Sequence, residues 1–397
     1  MRRDADVLIA GGGLAAQRAC ETLRRLGYDG RIRVLCEERH PPYDRPPLSK
    51  AVLTGQRGTE APSLRPARWY EEHEVELLLG MRATAIDAAA RRVKLEDRSS
   101  LRFEHLVVAT GSRPRRLATL PLSHTVRELR TFDDALALRD ALASGVEHLA
   151  VVGAGLIGME VASAARRLGV ATTLIEATPT PLARALPGAL GAWLAELHAR
   201  AGVEVLLSRA VDRVTKRGRR VELVLSDDLR IAADLVLVAA GTAPATEWLT
   251  DSGLGPGGIH VDRGGRTALP GVYAAGDAAC FPDPTTGKCV PTQHWEAAAH
   301  QGAAVARTIV GAAHAAEQPP MYWSDQHGVR IQFVGRSEPL DRIEVDGELS
   351  QPDFTAWLMH GERPVGALIA GRPRALSSVR ARIVAGSAPV TALRQVA

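Results

Sequence analysis

Residues 6–16 read DVLIAGGGLAA, and residues 149–160 read LAVVGAGLIGME. Each stretch is an apolar run that enters a turn of the form Gly-x-Gly-x-x-Gly or Ala, followed by a helical pattern. Glycines in such a turn let the backbone approach a pyrophosphate, and the N-terminus of the next helix supplies N–H donors and a positive dipole. The repeat predicts two dinucleotide-binding units in series.

An acid follows the next apolar strand of each unit. Glu37 comes after RIRVLC, and Glu176 comes after ATTLI. A carboxylate at this place accepts both ribose hydroxyls. Ala16 replaces the third glycine of the first turn, which is tolerated because that position governs only helix-to-strand packing. The alternative is that both glycine turns serve only helix-to-strand packing and bind no ligand. In that case the presence of an acid after the next strand of each unit would be a coincidence.

Composition excludes several classes of protein. The 397 residues are 46% hydrophobic and 24% charged, which excludes a disordered chain and favours two or three domains. No apolar run approaches the ~18 residues of a membrane span, so we expect a cytoplasmic protein without a membrane partner. The net charge of +4 is mild, so we expect no nucleic acid partner, and an acidic protein partner stays open.

The four cysteines show neither zinc nor disulfide spacing, so we expect buried structural thiols in a reducing compartment; they are Cys20, Cys36, Cys280 and Cys289. His294 and His300 are six residues apart in a predicted helix and do not share a face, so we expect no metal site.

The remaining pattern places the crossings and the last domain. Residues 112–130 and 242–244 are proline-containing crossings between units. A helix is predicted over 295–310. From Pro319 the pattern changes to short strands (VRIQFVG, FTAWLMH, PVGALIA) and a closing helix. The predicted fold class is α/β, with two Rossmann-like domains and a small C-terminal α+β domain.

Several further motifs give the chain a family resemblance. They are PPYDRPPLSK at 41–50, ATGSRPR at 109–115, YAAGD at 273–277, QHW at 293–295 and YWSDQ at 322–326. With the two glycine turns, they make the chain resemble the oxygenase-coupled NADH-dependent ferredoxin and rubredoxin reductases, flavoproteins of glutathione-reductase-like fold and putidaredoxin reductase type. PYDRPPLSK and YWSDQ are the most specific, because neither follows from generic nucleotide binding.

The resemblance implies non-covalent FAD, NADH as electron donor, and three domains. These are an FAD domain over 1–115 and 243–318, an NAD domain over 116–242, and a C-terminal interface domain over 319–397. The FAD contacts it implies are Gly11, Gly13, Leu14, Ala15, Ala16, Glu37, Arg45, Lys50, Ala83, Ala109, Thr110, Gly111, Arg130, Asp277 and Trp295. The NAD contacts it implies are Gly153, Gly155, Leu156, Ile157, Gly158, Glu160, Glu176, Arg184 and Gly241.

Two of these residues are expected to be catalytic. Lys50 is one of four lysines, against 45 arginines, and the family places it beside the flavin N5. A cation there stabilises anionic reduced flavin. The family pairs Glu160 with this lysine at the hydride-transfer site. The alternatives are a solvated surface lysine and an acid favoured only by the helix dipole.

The other implied roles also have ordinary alternatives. Asp277 is expected on the flavin ribityl chain or as a helix cap. Trp295 begins a helix whose N-terminus would face the flavin pyrimidine edge, or it is a core aromatic. Arg45 and Arg130 both match family positions that touch FAD. For Arg130 the alternative is an ordinary surface arginine.

The chain departs from the family pattern at three places. Thr292 and Gln293 stand where members often carry arginine and glutamate. Thr180 stands where a basic residue is frequent. The first helix lacks a redox-active cysteine pair, which excludes the disulfide reductases of this fold.

The expected activity is transfer of hydride from NADH to flavin N5 and release of single electrons to an acidic iron–sulfur ferredoxin. That ferredoxin would supply a haem-thiolate monooxygenase or a Rieske-type dioxygenase. We expect NADH to be preferred, because residues 177–183 contain no cation and Arg184 is the nearest. Six arginines against one acid give residues 361–397 a net charge of +5, so they are a candidate docking surface or a solvated face.

Three other functions stay open. Rubredoxin reductase and direct NADH oxidase are alternatives on the same scaffold. A redox-sensing interaction protein resembling apoptosis-inducing factor is the alternative from another class. For the reductase we expect a monomer or weak homodimer.

Overall fold

The computed structural model describes residues 7–218, 220–255, 257–283, 287–315, 318–337, 340, 342–386 and 394–396. Within these ranges, no helix is both long and apolar enough to cross a membrane. The α-helices are α1 Leu14–Arg25, α2 Ala67–Glu72, α3 Phe132–Ala143, α4 Leu156–Arg167, α5 Gly188–Arg200, α6 Trp295–Ile309 and α7 Leu376–Ala385. Short 3₁₀ helices cover Glu247–Ser252, Gly276–Ala278 and Pro373–Ala375, and a π-helix covers Leu48–Val52.

The strands, in chain order, are β1 Val7–Ala10, β2 Ile32–Cys36, β3 Val75–Leu79, β4 Ala83–Asp87, β5 Arg92–Leu95, β6 Ser100–Arg102, β7 His105–Val108, β8 Ser112–Pro114, β9 Val126–Arg127, β10 His148–Val152, β11 Ala171–Ile175, β12 Glu204–Leu206, β13 Val211–Arg217 and β14 Arg220–Leu225. They continue with β15 Arg230–Ala233, β16 Leu235–Val238, β17 Thr242–Pro244, β18 Ile259–His260, β19 Val272–Ala274, β20 Ala279–Pro282, β21 Cys289–Pro291, β22 Met321–Gln326, β23 Val329–Gly335, β24 Arg342–Glu348, β25 Asp353–His360, β26 Arg363–Ala370 and β27 Arg394–Val396.

The chain divides into two compact units. Unit one comprises residues 1–45, 61–113 and 242–317, and unit two comprises residues 46–60, 114–241 and 318–397. Each unit contains one of the two glycine turns.

Unit one is built on a five-stranded sheet in the order β19-β7-β1-β2-β3. Its strands are parallel, and β1 is buried along its whole length, as a sheet covered on both faces requires. Helices α1 and α6 cover one face. Gly302 of α6 lets them meet closely, since a Cβ there would lie 2.1 Å from the carbonyl oxygen of Ala15.

Unit two contains a second parallel sheet, in the order β12-β11-β10-β16-β9. An antiparallel sheet, β13-β14-β15, packs its apolar side chains against one face. Strand β10 (HLAVV) is buried over its last four residues, so its apolar run follows from its central place.

The last part of unit two is a six-stranded sheet in the order β22-β23-β26-β25-β24-β27, packed by α7. The predicted strands correspond to β23, β25 and β26, and the closing helix corresponds to α7. The sequence did not single out β22 or β24 as strands. In β22 the buried residues are Ser324 and Gln326, so the usual apolar alternation is missing. The predicted α/β class with two Rossmann-like domains is confirmed.

The cysteine prediction was wrong for one pair. Cys280 in β20 and Cys289 in β21 form a disulfide with a Cα–Cα distance of 5.4 Å. Their spacing of nine residues carries no framework signal, and the antiparallel pairing of β20 with β21 brings them together. Cys20 and Cys36 are buried free thiols, as expected.

Candidate active site

The first glycine turn, in unit one, leaves room for an anion at the start of α1. Gly11 has φ +120°, and a Cβ there would lie 2.1 Å from the carbonyl oxygen of Ala109, so the turn requires glycine. Gly13 precedes α1 without a side-chain capping bond, and the first turn carries no acid. A Cβ on Gly13 would meet no atom within 4 Å. Free N–H groups beside open space fit a dinucleotide pyrophosphate.

The residues around this turn follow the ends of neighbouring strands. Leu14, Ala15 and Ala16 form the first turn of α1. The segment Ala109–Gly111 follows β7, and the Thr110 hydroxyl donates to the carbonyl of Ala245 at 2.7 Å. These residues therefore lie at the carboxyl edge of the sheet, where ligands bind in open α/β folds.

Glu37 follows β2, and its side chain is half exposed. Its carboxylate lies 3.1 Å from Arg113 Nη2 and 3.7 Å from Arg82 Nε. Ala83 begins β4 directly after Arg82. Neither arginine was among the predicted site residues, although Arg113 lies inside the ATGSRPR motif. Exposed ion pairs of this kind are weak, so the carboxylate can exchange them for ribose hydroxyls.

Asp277 lies in the 3₁₀ helix after β19 and accepts a 2.7 Å hydrogen bond from the hydroxyl of Ser112. Ser112 was not among the predicted residues. Burial alone would lower the pKa of Arg45, but Tyr43, Glu38 and Asp277 raise it overall. Arg45 Nη2 contacts Glu38 Oε1 at 2.8 Å. Unit one thus holds a partly buried cation in the field of Asp277.

Trp295 is the first residue of α6, as predicted from the sequence pattern. Its indole Nε1 donates to Asp44 Oδ1 at 2.7 Å, so the ring is held by a polar contact rather than by packing alone. His294 is the N-cap residue, and burial lowers its pKa. Thr242 donates to Gln293 Oε1 at 2.7 Å, which fixes the amide that replaces the family's glutamate.

The second glycine turn, in unit two, repeats the geometry of the first. Gly153 has φ +110°, and a Cβ there would lie 2.4 Å from the Ala239 carbonyl oxygen. A Cβ on Gly158 would lie 2.1 Å from the Gly153 oxygen, so helix and turn touch. Gly155 faces open space before α4, whose first turn, starting at Leu156 and Ile157, has neither a capping side chain nor an acid. This helix N-terminus therefore also fits a pyrophosphate.

Glu176 is held next to the second turn. Its Oε2 accepts from the N–H of Ala154 at 2.7 Å, and its Oε1 accepts from the N–H of Thr178 at 2.8 Å. The carboxylate is thus fixed at the end of β11, where the fingerprint requires it. Gly241, with φ +87°, follows β16 at the same sheet edge, and Arg184 is exposed in the turn before α5.

Lys50 and Glu160, the expected catalytic residues, form an ion pair in unit two. Lys50 Nζ lies 2.7 Å from Glu160 Oε2, and the Glu160 side chain is 6% exposed. Lys50 projects from the π-helix Leu48–Val52, whose N–H of Val52 bonds to the Pro47 carbonyl. Such wide turns often mark functional sites. Glu160 lies near the N-terminus of α4.

Two serines complete the surroundings of Glu160, and neither was among the predicted site residues. Ser49 Oγ donates to Glu160 Oε2 at 2.5 Å. Ser324 Oγ donates to Glu160 Oε1 at 2.6 Å. Ser49 lies in PYDRPPLSK and Ser324 lies in YWSDQ, the two most specific motifs. Their place in these motifs is the sequence signal that could have identified them. The buried carboxylate thus has a cation and two hydroxyl donors as partners, which fix both of its oxygens in place.

Arg130 belongs to unit two, whereas most of the other predicted FAD contacts belong to unit one. It falls in unit two, just before α3, where its N–H bonds to Asp134 Oδ2 at 3.0 Å. Asp134 belongs to the capping box of α3. Lys50 is the other predicted FAD contact in unit two.

The free thiols are unreactive. Burial raises the pKa of both Cys20 and Cys36 to about 12, so both stay protonated near neutral pH. In the described part of the chain, no group of three or more His, Cys, Asp or Glu side chains could hold a metal ion.

Two Rossmann-like sheets, each with an open glycine turn and an acid at the next strand, define a dinucleotide-dependent oxidoreductase. Residues 5–303 match the model of the pyridine nucleotide-disulphide oxidoreductases, and residues 321–395 match the reductase C-terminal domain. The chain belongs to the pyridine nucleotide-disulphide oxidoreductase family. Its cofactors are FAD and NAD(H).

Curated relatives match almost the whole chain. The ferredoxin–NAD(+) reductase component of an anthranilate 1,2-dioxygenase system from Burkholderia cepacia is 37% identical over 96% of this chain and 95% of its own. Rhodocoxin reductase from Rhodococcus erythropolis is 34% identical over 97% of this chain and 90% of its own. A solved covalent complex of putidaredoxin reductase with putidaredoxin matches at TM-score 0.92, with 32% identity over 96% and 94% of the two chains.

Proposed function

We propose that this chain is the reductase of an oxygenase system, taking electrons from NADH through FAD to a small iron–sulfur ferredoxin. The observation that carries the proposal is the pair of open, uncapped helix N-termini, which provide one site for each dinucleotide on a single chain. Relatives of matching length are named as ferredoxin–NAD(+) reductases, which supports ferredoxin as the acceptor.

FAD, when bound, supplies a centre that accepts hydride and gives up electrons one at a time. Gly11, Gly13 and Glu37 would hold its adenosine diphosphate part, because these residues combine open space, N–H donors and a carboxylate. Asp277 and Trp295 would bind the rest of the molecule, as the family resemblance implies. A non-covalent mode fits these contacts.

We further propose the domain roles that the resemblance implies. Residues 1–115 and 243–318 would bind FAD, residues 116–242 would bind NADH, and residues 319–397 would form the interface domain. The location of the two glycine turns in different units and the reductase C-terminal match over 321–395 support this division.

Glu176 would select NADH over NADPH. Its carboxylate stands at the end of β11, where it would accept ribose hydroxyls and repel a 2′-phosphate. Arg184 is exposed in the following turn and is the cation that could offset this repulsion.

Lys50 and Glu160 would serve the hydride step. An ammonium group held by a buried carboxylate keeps its position, and a fixed cation favours developing negative charge on the acceptor. Lys50 Nζ also donates to the carbonyl of Pro46 at 3.1 Å, so two contacts orient it.

The acceptor would be an acidic ferredoxin that docks on cations of the C-terminal domain. Arg372 is less available for this role, because its guanidinium pairs with Asp353 at 2.6 Å and Asp346 at 3.3 Å. Arg363 and Arg374 are exposed and better placed to meet a partner. The side chain of Arg394 lies outside the described residues.

Further proposals concern the reductase in the cell. It would work in the cytoplasm as a monomer or weak homodimer. It would serve either a monooxygenase or a dioxygenase through its ferredoxin.

The test is acceptor-dependent turnover of the purified, FAD-loaded protein. NADH with ferricyanide should react rapidly, and reduction of an acidic ferredoxin should exceed reduction of rubredoxin or oxygen. A persistent charge-transfer band with a change of molecular size, and no turnover with ferredoxin, would favour the redox-sensing alternative instead.

A further inference from the structure

Beyond its lysine partner, Glu160 ends a continuous chain of hydrogen bonds within unit two. Ser324 Oγ donates to Glu160 Oε1 at 2.6 Å and accepts from Gln326 Nε2 at 2.9 Å. Gln326 Oε1 lies 3.0 Å from His198 Nε2, and His198 Nδ1 lies 3.0 Å from His327 Nε2. We call these five residues the Glu160 chain. It runs from a buried carboxylate to a partly exposed imidazole.

The bonding partners fix the direction of the Glu160 chain. Because the Gln326 amide N–H donates to Ser324, the Gln326 carbonyl oxygen faces His198, and His198 Nε2 must donate to it. Neutral His198 then has Nδ1 as an acceptor, which receives the Nε2–H of His327. Every donor therefore points toward Glu160. Bonds aligned in this way polarise one another and hold the carboxylate oxygen in a fixed position.

The surroundings of His198 and His327 keep both imidazoles neutral. Burial, with a smaller contribution from His327, lowers the pKa of His198 to about 4, while the hydrogen bond with Gln326 opposes the shift. Burial and the charge of Arg166 on α4 lower the pKa of His327. Both rings are therefore neutral near pH 7, which is the state that the Glu160 chain needs.

The backbone at His327 ties the end of the Glu160 chain to α4. His327 and Gly328 form the two-residue turn between β22 and β23, with φ +49° and +81°. Such turns favour asparagine or glycine, and histidine is among the residues that tolerate positive φ. The N–H of His327 donates to Ser163 Oγ on α4 at 2.7 Å, which holds the turn in place. The helix that carries Glu160 therefore also holds the far end of the Glu160 chain.

We propose that Ser324, Gln326, His198 and His327 are positioning residues that hold the Glu160 carboxylate in place and aligned with Lys50. The inference rests on the proposed function, in which the pair serves flavin reduction by NADH. Breaking the chain should weaken the alignment of the ion pair without removing an NADH contact. It should therefore lower the limiting rate of reduction and leave the KM for NADH unchanged.

The kinetic test is anaerobic rapid mixing of NADH with the FAD-loaded protein. Removing the hydroxyl donor in Ser324→Ala should slow flavin reduction about tenfold, as expected for a bond to a charged group. Gln326→Leu, one step further away, should slow it by about threefold. Gln332→Leu is the matched control, because Gln332 is a buried glutamine of β23 outside the Glu160 chain, and its rate should equal that of the wild type.

His327→Asn provides a variant that suits the fold. Asparagine tolerates positive φ and is too short to reach His198, so thermal stability should be retained or raised while reduction slows about twofold.

A readout independent of activity is the tautomer of each histidine, obtained from nitrogen NMR of isotopically labelled protein. The Glu160 chain requires Nε2–H for both His198 and His327, and Gln326→Leu should remove the preference at His198. Wild-type reduction rates in both Ser324→Ala and Gln326→Leu, or Nδ1–H at His198 in the native protein, would overturn the inference. A wild-type protein that NADH does not reduce would instead refute the proposed function, even with the expected tautomers.

Discussion

Gly13 and Gly155 occupy the same place in the two turns, each directly before a helix. Their φ values of −94° and −77° suit any residue, and a Cβ at either position would meet no atom within 4 Å. Valine therefore fits the protein at both positions and fills the space proposed for a pyrophosphate. We expect Gly13→Val to purify with little FAD, and Gly155→Val to retain FAD with a raised KM for NADH.

Flavin absorbance per mole of protein and steady-state kinetics measure both effects. Gly58→Val is the control, because Gly58 is exposed, faces open space and lies outside both turns. Full FAD occupancy in Gly13→Val would remove the first turn from the FAD site.

Coenzyme choice depends on the charge of Glu176. Replacing it with glutamine keeps an acceptor oxygen for Ala154 and removes the repulsion of a 2′-phosphate, so we expect Glu176→Gln to narrow the preference for NADH over NADPH. Glu176→Ala should narrow it as well and also weaken NADH binding. Comparing kcat/KM for the two coenzymes tests this, and a native protein that favours NADPH would refute it.

Lys50 is expected to affect the rate at which NADH reduces the flavin and not the amount of FAD that the protein binds. Lys50→Ala should keep its flavin and slow reduction by NADH, with a loss of about 2 to 4 kcal/mol of transition-state stabilisation. It also leaves the buried Glu160 carboxylate without a cation, so thermal stability should fall. Lys94→Ala, an exposed lysine of β5, is the control for rapid-mixing and melting measurements. An unchanged reduction rate in Lys50→Ala would place this lysine outside the active site.

At the scale of elements, the hairpin β20–β21 connects two parts of the candidate FAD site. It begins two residues after Asp277 and ends four residues before Trp295, and the Cys280–Cys289 disulfide closes it. In the chain-entropy description, closing so short a loop stabilises the folded state by roughly 2 to 3 kcal/mol.

Reduction of this disulfide should therefore lower the free energy of unfolding by about 2 to 3 kcal/mol and decrease FAD retention. The double variant Cys280→Ser with Cys289→Ser should show the same loss and no response to reductant. Thiol titration of the unreduced, denatured protein should find the two thiols of Cys20 and Cys36. A count of four would show that the bond does not form.

At the scale of the whole molecule, electrostatic attraction should set the rate of encounter with ferredoxin. Screening acts over about 8 Å at physiological ionic strength, so added salt should raise the KM for ferredoxin and leave the NADH–ferricyanide reaction nearly unchanged. Arg363→Glu with Arg374→Glu should raise this KM at low salt, because both side chains are exposed.

Arg372→Glu is the comparison for this salt series. Arg372 is paired with Asp346 and Asp353, so its replacement should lower stability more than it affects docking. Native ferredoxin kinetics in the double variant at low salt would place the docking surface elsewhere.

The sequence by itself determined the two Rossmann-like sheets, the glycine turns and most of the C-terminal strands. These features are local, because an apolar strand, a glycine with positive φ and a helix start each leave their signal within about 15 residues. The pairing of Lys50 with Glu160 came from family resemblance rather than from any local pattern.

The tertiary structure alone decided which side chains meet across long stretches of chain. Ser324 reaches Glu160 over a sequence separation of 164 residues, and His198 reaches Gln326 over 128. The disulfide and the ion pairs of Arg372 likewise depend on strand pairing. Strand pairing brings together residues that no helical or strand periodicity of the sequence relates. Contacts of this kind depend on register and packing between elements, so periodicity cannot reveal them.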